Sequence, residues 1–343
     1  MPPIAPAETS VSSRSSDSAS ADAAATATLS ATPESLRLPT PDRVEWHRIM
    51  LASLLVIGSV HLIALLAFVP WLFSWTALIT CIICVHLFGQ SITIGYHRLL
   101  SHRSFVAPKW FERFIVLIAL CCLEDAPGRW VATHRYHHKH SDEQEDPHTP
   151  LVSFLWAHIG WLMVHNGSVS NISTYRHYAS DVLNDPFYMR LEKQRWIMLV
   201  VYAVHAAIFF GIGAAIGWFA AGTGAEALRM GLSMLIWGVF VRTVLVWHIT
   251  WSVNSLTHLF GYQNYDTDDH SRNNWLVALL SVGEGWHNNH HHDPASASVQ
   301  HRWWEFDLSY YEIRLLEKLG LARKVTEPRH RRHAQRAQPS EID

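Results

Sequence analysis

The sequence predicts an all-α membrane protein in which four transmembrane helices carry a helical cap on one side of the membrane. Two features of composition lead to this fold class. Hydrophobic residues make up 49% of the 343 residues and charged residues only 16%, whereas charged residues are about a quarter of a typical soluble chain. Histidine is also abundant, at 24 residues, and such an excess of a metal-binding side chain needs a chemical explanation.

The first segment, residues 1–44, is rich in Ala, Ser, Thr and Pro and has few large apolar side chains. Such a segment buries too little surface to offset the entropy lost on ordering, so we expect a disordered leader. No apolar stretch follows the first residues, which differs from the pattern of a signal peptide. We expect a membrane domain over residues 45–325 and a flexible basic tail over residues 326–343.

Four apolar stretches have roughly the 20 residues that a transmembrane helix needs. They cover residues 49–69, 75–94, 196–220 and 227–251. The short turn within each pair contains no Lys or Arg. Nearly all of the positive charge lies in the remaining segments: residues 1–48, 96–195 and 252–343. By the positive-inside rule these segments, with both termini, lie in the cytoplasm. The formal net charge of −2 gives no field that would favour a nucleic acid partner.

The second and fourth spans are not purely apolar. The second contains His86 and runs on to His97, and the fourth runs on to His258. Because polar groups are costly in lipid, we expect both helices to continue beyond the bilayer into the cap. Two apolar, aromatic segments, residues 110–123 and 151–164, are too short or too mixed to span and are expected to lie at the membrane interface or under the cap.

Three histidine clusters fall on the predicted cytoplasmic side: HRLLSH at 97–102, HRYHH at 134–138 and HNNHH at 287–291. One further candidate ends the string NSLTH at 254–258. On a helix, positions i, i+3 and i+4 share a face, so the three histidines of each HxxHH string point the same way. Two such faces are able to meet around a pair of metal ions. Imidazole suits zinc, copper, iron and nickel alike, so the spacing leaves the metal open.

His97 and His102 are five residues apart, which on a regular α-helix places them on different faces. We therefore expect the helix to end or distort near Leu100 and Ser101, or the two histidines to serve different metals. Polar residues near the clusters are candidates for holding imidazole tautomers, with helix capping or solvation as the alternative role. These candidates are Glu284, Asp146 and Asn288.

Four strings, in this order, resemble the membrane fatty acid desaturases, specifically the branch of the acyl-CoA and acyl-lipid Δ9 enzymes. They are GYHRLLSHR at 95–103, HRYHHK followed by DPH at 134–148, NSLTHLFG at 254–261 and GEGWHNNHH at 283–291. The resemblance covers residues 45–325. It implies a diiron centre held by nine histidines, with one asparagine acting through a bound water: His97, His102, His134, His137, His138, His258, His287, His290, His291 and Asn254.

The resemblance further implies an enzyme similar to stearoyl-CoA 9-desaturase, which uses O2 to insert a cis double bond into a long acyl chain held in a narrow, bent tunnel. Removing hydrogen from an unactivated methylene needs a redox-active metal, which iron is and zinc is not. Electrons are expected from a separate carrier, a ferredoxin or a cytochrome b5, because the sequence has no His-Pro-Gly-Gly haem motif.

The nature of the acyl carrier stays open between acyl-CoA and acyl-lipid. The animal acyl-CoA branch looks to have a basic pair after its Gly-Trp-Leu-Leu segment, where this chain has Val164, His165 and Asn166. The string DPFY at 185–188 is more similar to the bacterial and plant branch.

Two other functions remain open from the residues alone. A hydroxylase or ketolase uses the same diiron chemistry, and the mass of its product distinguishes it because oxygen is added. A metal transporter would load cations on its histidines, but transport sites lie midway along the spans, whereas these clusters lie on the cap side.

Overall fold

The computed structural model describes residues 36–332. Most of the predicted disordered leader, and the end of the predicted basic tail, lie outside the described residues. Four of the described helices are long and apolar enough to cross a membrane. They are Leu51–Phe68, Trp75–Ser101, Trp196–Ala221 and Gly224–His258. The predicted fold class, a helical membrane protein with four transmembrane helices, is therefore confirmed.

The first two spans form a helical hairpin. Helix α1 (Leu51–Ala64) continues as a 3-10 turn over Leu65–Phe68, and a separate short turn begins at Pro70. Helix α2 (Trp75–Gln90) begins after Ser74, whose hydroxyl accepts a hydrogen bond from the backbone N–H of Ala77 at 3.1 Å. This helix does not stop at the end of its apolar stretch but continues as a π-helix over Ser91–Ser101.

The last two spans form a second hairpin, with α9 (Trp196–Ala221) ending at Gly222 in the left-handed conformation, φ +66°. Helix α10 (Gly224–Leu235) continues through a π-helical segment, Ile236–Val241, into α11 (Arg242–Ser255) and a final 3-10 turn, Leu256–His258. The second and fourth spans thus both extend into the cap.

The cap consists of shorter helices. They are α3 (Lys109–Leu120), α4 (Pro127–His140), α5 (Phe154–His158), α6 (Ile172–Tyr175), α7 (Ser180–Leu183), α8 (Pro186–Lys193), α12 (Trp275–Leu280), α13 (His287–His292) and α14 (Leu308–Lys318). One face of α3 packs in the core through Val116 and Leu120, while Trp110 and Phe114 on the other face are exposed. An amphipathic helix of this kind is suited to the membrane interface.

A two-stranded sheet joins the start of the described chain to the cap, and the sequence analysis did not predict it. Strand β1 (Val44–Ile49) pairs antiparallel with β2 (Val164–Asn166), with Val44 opposite Asn166. All three residues of β2 are buried. The segment expected to be helical at 151–164 therefore ends as a strand because β1 supplies its backbone partners.

Candidate metal centre

The π-helix at the end of the second span places His97 and His102 together. The backbone N–H of His102 donates to the carbonyl of His97 at 3.1 Å, and the two ring centroids are 4.8 Å apart. A π-helix bonds residues five apart, so this spacing shares a face here although it would not on an α-helix. The helix distortion that was expected near Leu100 and Ser101 is present. It begins earlier, at Ser91, and it brings both histidines into one cluster.

The first cluster contains five histidines whose candidate ligand atoms all lie within 4.8 Å of one another. They are His97, His102, His134, His138 and His290. Their Nε2 atoms face a common centre: His102 and His134 are 2.7 Å apart, and His138 lies 2.9 Å from His290. The π-helix, α4 and α13 each contribute to this cluster.

The second cluster contains four histidines whose candidate ligand atoms also lie within 4.8 Å of one another. They are His137, His258, His287 and His291. The Nε2 atom of His287 lies 3.1 Å from that of His258 and 3.0 Å from that of His291. Together the two clusters bring together all nine histidines that the resemblance implied as ligands.

Each HxxHH string divides its histidines between the clusters. His134 and His138 of α4 point into the first cluster and His137 into the second, while α13 sends His290 to the first cluster and its neighbour His291 to the second. The two clusters lie side by side, and the stacked rings of His138 and His291, one from each cluster, have centroids 4.4 Å apart. The three residues of a string therefore share one side of the helix but face two adjacent positions.

Carboxylates hold the far nitrogens of four of these imidazoles. Glu284, one of the three candidates named from the sequence, accepts from His97 Nδ1 at 2.6 Å. Asp146 likewise lies 2.9 Å from Nδ1 of its histidine in the second cluster, His137. This orientation leaves Nε2 of each ring directed at the cluster centre.

Two further carboxylates of this kind were not identified from the sequence. Asp142 lies 2.7 Å from Nδ1 of His258, and Asp269 lies 2.5 Å from Nδ1 of His291. Asn288, which was a candidate, instead accepts from the backbone N–H groups of residues 264 and 265 at 2.8 and 2.9 Å. It orders the loop that leads to Asp269 rather than contacting an imidazole.

The electrostatic state of the clusters suits metal binding. Burial, reinforced by neighbouring imidazoles, lowers the pKa well below the usual value for His102, His134, His138, His287 and His290. Burial acts to raise the pKa of Glu284, but His97 and Arg98 outweigh it and lower that pKa to about 2. Burial thus favours the neutral form of these five imidazoles, which is the form that coordinates cations, while the Glu284 carboxylate is ionised.

A buried ion-pair network fixes the end of the π-helix against the loop before α13. The guanidinium of Arg98, 1% exposed, donates to Glu284 at 2.6 Å and to Asp307 at 3.0 Å. Gly283 has φ +136°, and a Cβ there would lie 2.7 Å from an Asp307 carboxylate oxygen. Glycine is therefore required at this position for the loop to approach the network.

Three other histidines, His205, His248 and His148, lie outside both clusters. His205 accepts a hydrogen bond from the buried Arg242 at 2.8 Å, and His248 lies between His61 and His158. His148 packs on the ring of His137 with centroids 4.4 Å apart, on the outer side of the second cluster.

Two cavities, of about 290 and 380 Å³, meet beside the clusters. Four residues line both of them: Trp130, His134, Thr250 and Asn254. The first cavity runs between α2 and α12, along apolar side chains such as Val85 and Leu280. The second runs between α1 and α9 and carries charged groups. Asn254, implied as a water-mediated ligand, thus lies at the junction.

Comparison with known proteins agrees with this arrangement. The fatty acid desaturase family model matches residues 73–327. The chain is 39% identical over 287 residues to an sn-2 palmitoyl-lipid 9-desaturase of Nostoc sp. (strain 36), covering 83% of this chain and 93% of that protein. It is 41% identical to an sn-1 stearoyl-lipid 9-desaturase of Anabaena variabilis, covering 83% and 95%. An acyl-CoA 5-desaturase of Anemone leveillei is 38% identical, covering 82% and 81%. With this family match, and with nine histidines clustered where the second and fourth of its candidate membrane helices end, the chain belongs to the fatty acid desaturase family.

Proposed function

We propose that this chain desaturates fatty acyl chains with O2 and two iron ions, one held at each histidine cluster. The observation that carries the proposal is the gathering of nine imidazoles into two adjacent clusters, four of whose rings line the first cavity. Nitrogen donors with ionised carboxylates behind them fit an iron pair. The bound iron pair would supply the oxidising power to remove hydrogen from an unactivated methylene.

The protein positions the acyl chain and keeps water away from it. His97 and His134 of the first cluster, and His137 and His287 of the second, line the first cavity. An acyl chain that passes from one cavity to the other therefore exposes its middle to both clusters. We assign the methyl end to the apolar first cavity and the ester end to the second, whose charged groups solvate a carbonyl better. Asn254 would hold a water beside the second cluster.

The reaction requires an outside source of two electrons. One O2, two protons and two electrons combine with the two hydrogen atoms of the –CH2–CH2– unit to give the alkene and two waters. The substrate thus supplies two of the four electrons that O2 needs, and an external carrier, a ferredoxin or a cytochrome b5, supplies the others. The excess of Lys and Arg on the cap side supports a cytoplasmic location for both termini and the clusters.

We further propose that the double bond forms at Δ9 of an acyl group esterified to a glycerolipid. The names of the two bacterial relatives support both points, since each is a lipid 9-desaturase. The metal transporter alternative needs a site midway along the spans. The clusters instead lie where the second and fourth spans enter the cap.

The test is expression in a host without Δ9 unsaturated lipids, followed by gas chromatography and mass spectrometry of fatty acids from the glycerolipid and acyl-CoA pools. We expect a product two mass units lighter than the saturated acid, with a cis bond at carbon 9. A product heavier by one oxygen would indicate a hydroxylase and overturn the proposal.

A pair of neighbouring variants tests the metal role within the same assay. His287→Ala removes an imidazole of the second cluster, and its product is expected to vanish. His292→Ala changes a histidine outside both clusters, which stacks on Tyr265 at 3.8 Å, and should retain the product. Equal product from both variants would contradict the ligand assignment.

A further inference from the structure

The mouth of the second cavity lies between two membrane spans. Ser53, Val56 and Ile57 line it from the first turns of α1, and Trp196 and Leu199 line it from the first turn of α9. Trp196 and Leu199 are also 61% and 53% exposed on the outside of the protein. An exposed tryptophan at the start of a span is typical of the lipid–water interface. The mouth therefore faces the bilayer at the level of the lipid headgroups.

The two-stranded sheet lies on the cap side of this mouth. Strand β1 leads directly into α1, and β2 directly follows the segment of Trp161 and Leu162, which also lines the cavity. The backbone N–H of Met50 donates to the carbonyl of Met163 at 2.9 Å and extends this pairing to the lining segments. Backbone hydrogen bonds thus link the start of α1 to the segment of Trp161 and Leu162 on this side of the mouth.

The charged groups at the mouth carry a small net charge. Arg129 pairs with one oxygen of Asp125 at 2.7 Å, and Arg195, 45% exposed at its side chain, pairs with the other. Burial acts to raise the pKa of Asp125, but the two guanidinium groups outweigh it, so the carboxylate is ionised. Burial raises the pKa of the neighbouring Glu124 to about 8, which keeps that carboxyl mostly neutral at pH 7. One net positive charge results.

We propose that the acyl chain enters sideways from the bilayer, between α1 and α9, as the ester of a glycerolipid whose ester and headgroup lie against Arg195. This inference rests on the proposed desaturase function and its glycerolipid substrate, and adds the route of entry. A lipid acyl chain reaches a mouth between spans without leaving the membrane. A coenzyme A thioester carries several phosphate charges, and its recognition needs a water-exposed surface with several cations.

The test uses photolabelling of the full-length protein in nanodiscs. One probe is a phosphatidylcholine with a diazirine on its acyl chain, and the other is the coenzyme A thioester of the same diazirine acid. Val56→Trp fills the mouth, and Leu55→Trp, whose side chain is 61% exposed and does not line the cavity, is the matched control. Labelled peptides are mapped by mass spectrometry, a readout that does not depend on turnover.

The lipid probe should label the start of α1 and α9 in the wild type and in Leu55→Trp. Val56→Trp should reduce this labelling about tenfold, because a tryptophan overfills the space. Excess unlabelled stearoyl-CoA should not compete. Labelling by the coenzyme A probe that is stronger than that by the lipid probe, or that persists in Val56→Trp, would overturn the inference.

Product analysis separates this inference from the proposed function. If the wild type forms no double bond in the host lipids, the desaturase proposal fails. If the wild type forms it and Val56→Trp forms as much, desaturation stands and the route between α1 and α9 is refuted.

Discussion

Glu124 is a half-buried carboxyl that lines the second cavity, and its protonation should have a measurable effect on stability. It accepts from the hydroxyl of Thr250 at 2.9 Å, and its neighbours Leu123 and Asp125 have φ of 55° and 92°, which are strained values for these residues. Burial raises its pKa from 4.5 to about 8, against the lowering effect of hydrogen bonds from Thr250 and Trp130. The folded state therefore keeps a proton that the unfolded chain has lost.

The direction in which the free energy of unfolding changes with pH follows from this difference in proton binding. Between pH 4.5 and about 8 the unfolded chain is ionised at this position and the folded chain is not, so the free energy of unfolding falls as pH rises. At about 1.4 kcal/mol per pH unit, the loss approaches about 5 kcal/mol at pH 8. Glu124→Gln keeps an acceptor for Thr250 and removes the ionisation. The variant and the wild type should unfold alike at pH 5, and the variant should be more stable at pH 8.

The assay is unfolding by sodium dodecyl sulfate in mixed micelles, followed by tryptophan fluorescence at pH 5 and pH 8. Glu143→Gln, at a carboxyl whose side chain is 63% exposed, is the control and should not change the pH dependence. If the difference between Glu124→Gln and the wild type were the same at both pH values, the carboxyl would not be protonated in the folded protein, and the reasoning would be refuted.

Three further predictions concern the metal centre and the loop that supports it. His138→Ala should lower bound iron measured by inductively coupled plasma mass spectrometry, while His140→Ala should not; equal iron content would contradict the clusters. Asp142→Asn should speed metal loss to a chelator by about 10–100-fold, because its imidazole partner loses a charged acceptor; unchanged loss would argue against this role. Gly283→Ala should destabilise the protein by roughly 1–3 kcal/mol in thermal unfolding, since φ +136° disfavours a side chain. Gly58→Ala, which meets no atom within 4 Å, should have little effect.

The four spans were predictable because each is a long apolar run, and the first and third observed helices begin and end within two residues of the predicted positions. The two extensions into the cap were predictable as well, because His97 and His258 would otherwise lie in lipid. The start of the π-helix at Ser91 was not predictable, since the apolar pattern through this segment is compatible with an ordinary α-helix. Only the five-residue spacing of His97 and His102 indicated that the helix must change its geometry.

The carboxylates behind the imidazoles show where sequence reasoning ends. Asp146 follows HRYHH closely and holds His137 of that string, so proximity in the chain identified it. Glu284 precedes HNNHH but holds His97 of the distant HRLLSH string, so its partner could not be predicted from proximity. Asp142 is 116 residues from its partner His258, and no local pattern indicates such a pairing. The β1–β2 pairing was missed for a similar reason, because three residues of β2 carry no strand signal of their own. Both features depend on tertiary contacts between distant parts of the chain.

The divided HxxHH strings have a consequence for how the cations are taken up. His137 and His138 are consecutive in α4, and His290 and His291 are consecutive in α13, yet each pair serves both clusters. Each helix is thus a stiff bridge between two ion positions. The first ion to bind would hold α4 against α13 and so favour the placement of the remaining ligands for the second. Titration of the metal-free protein with ferrous iron should accordingly be cooperative, with little singly loaded protein at half saturation.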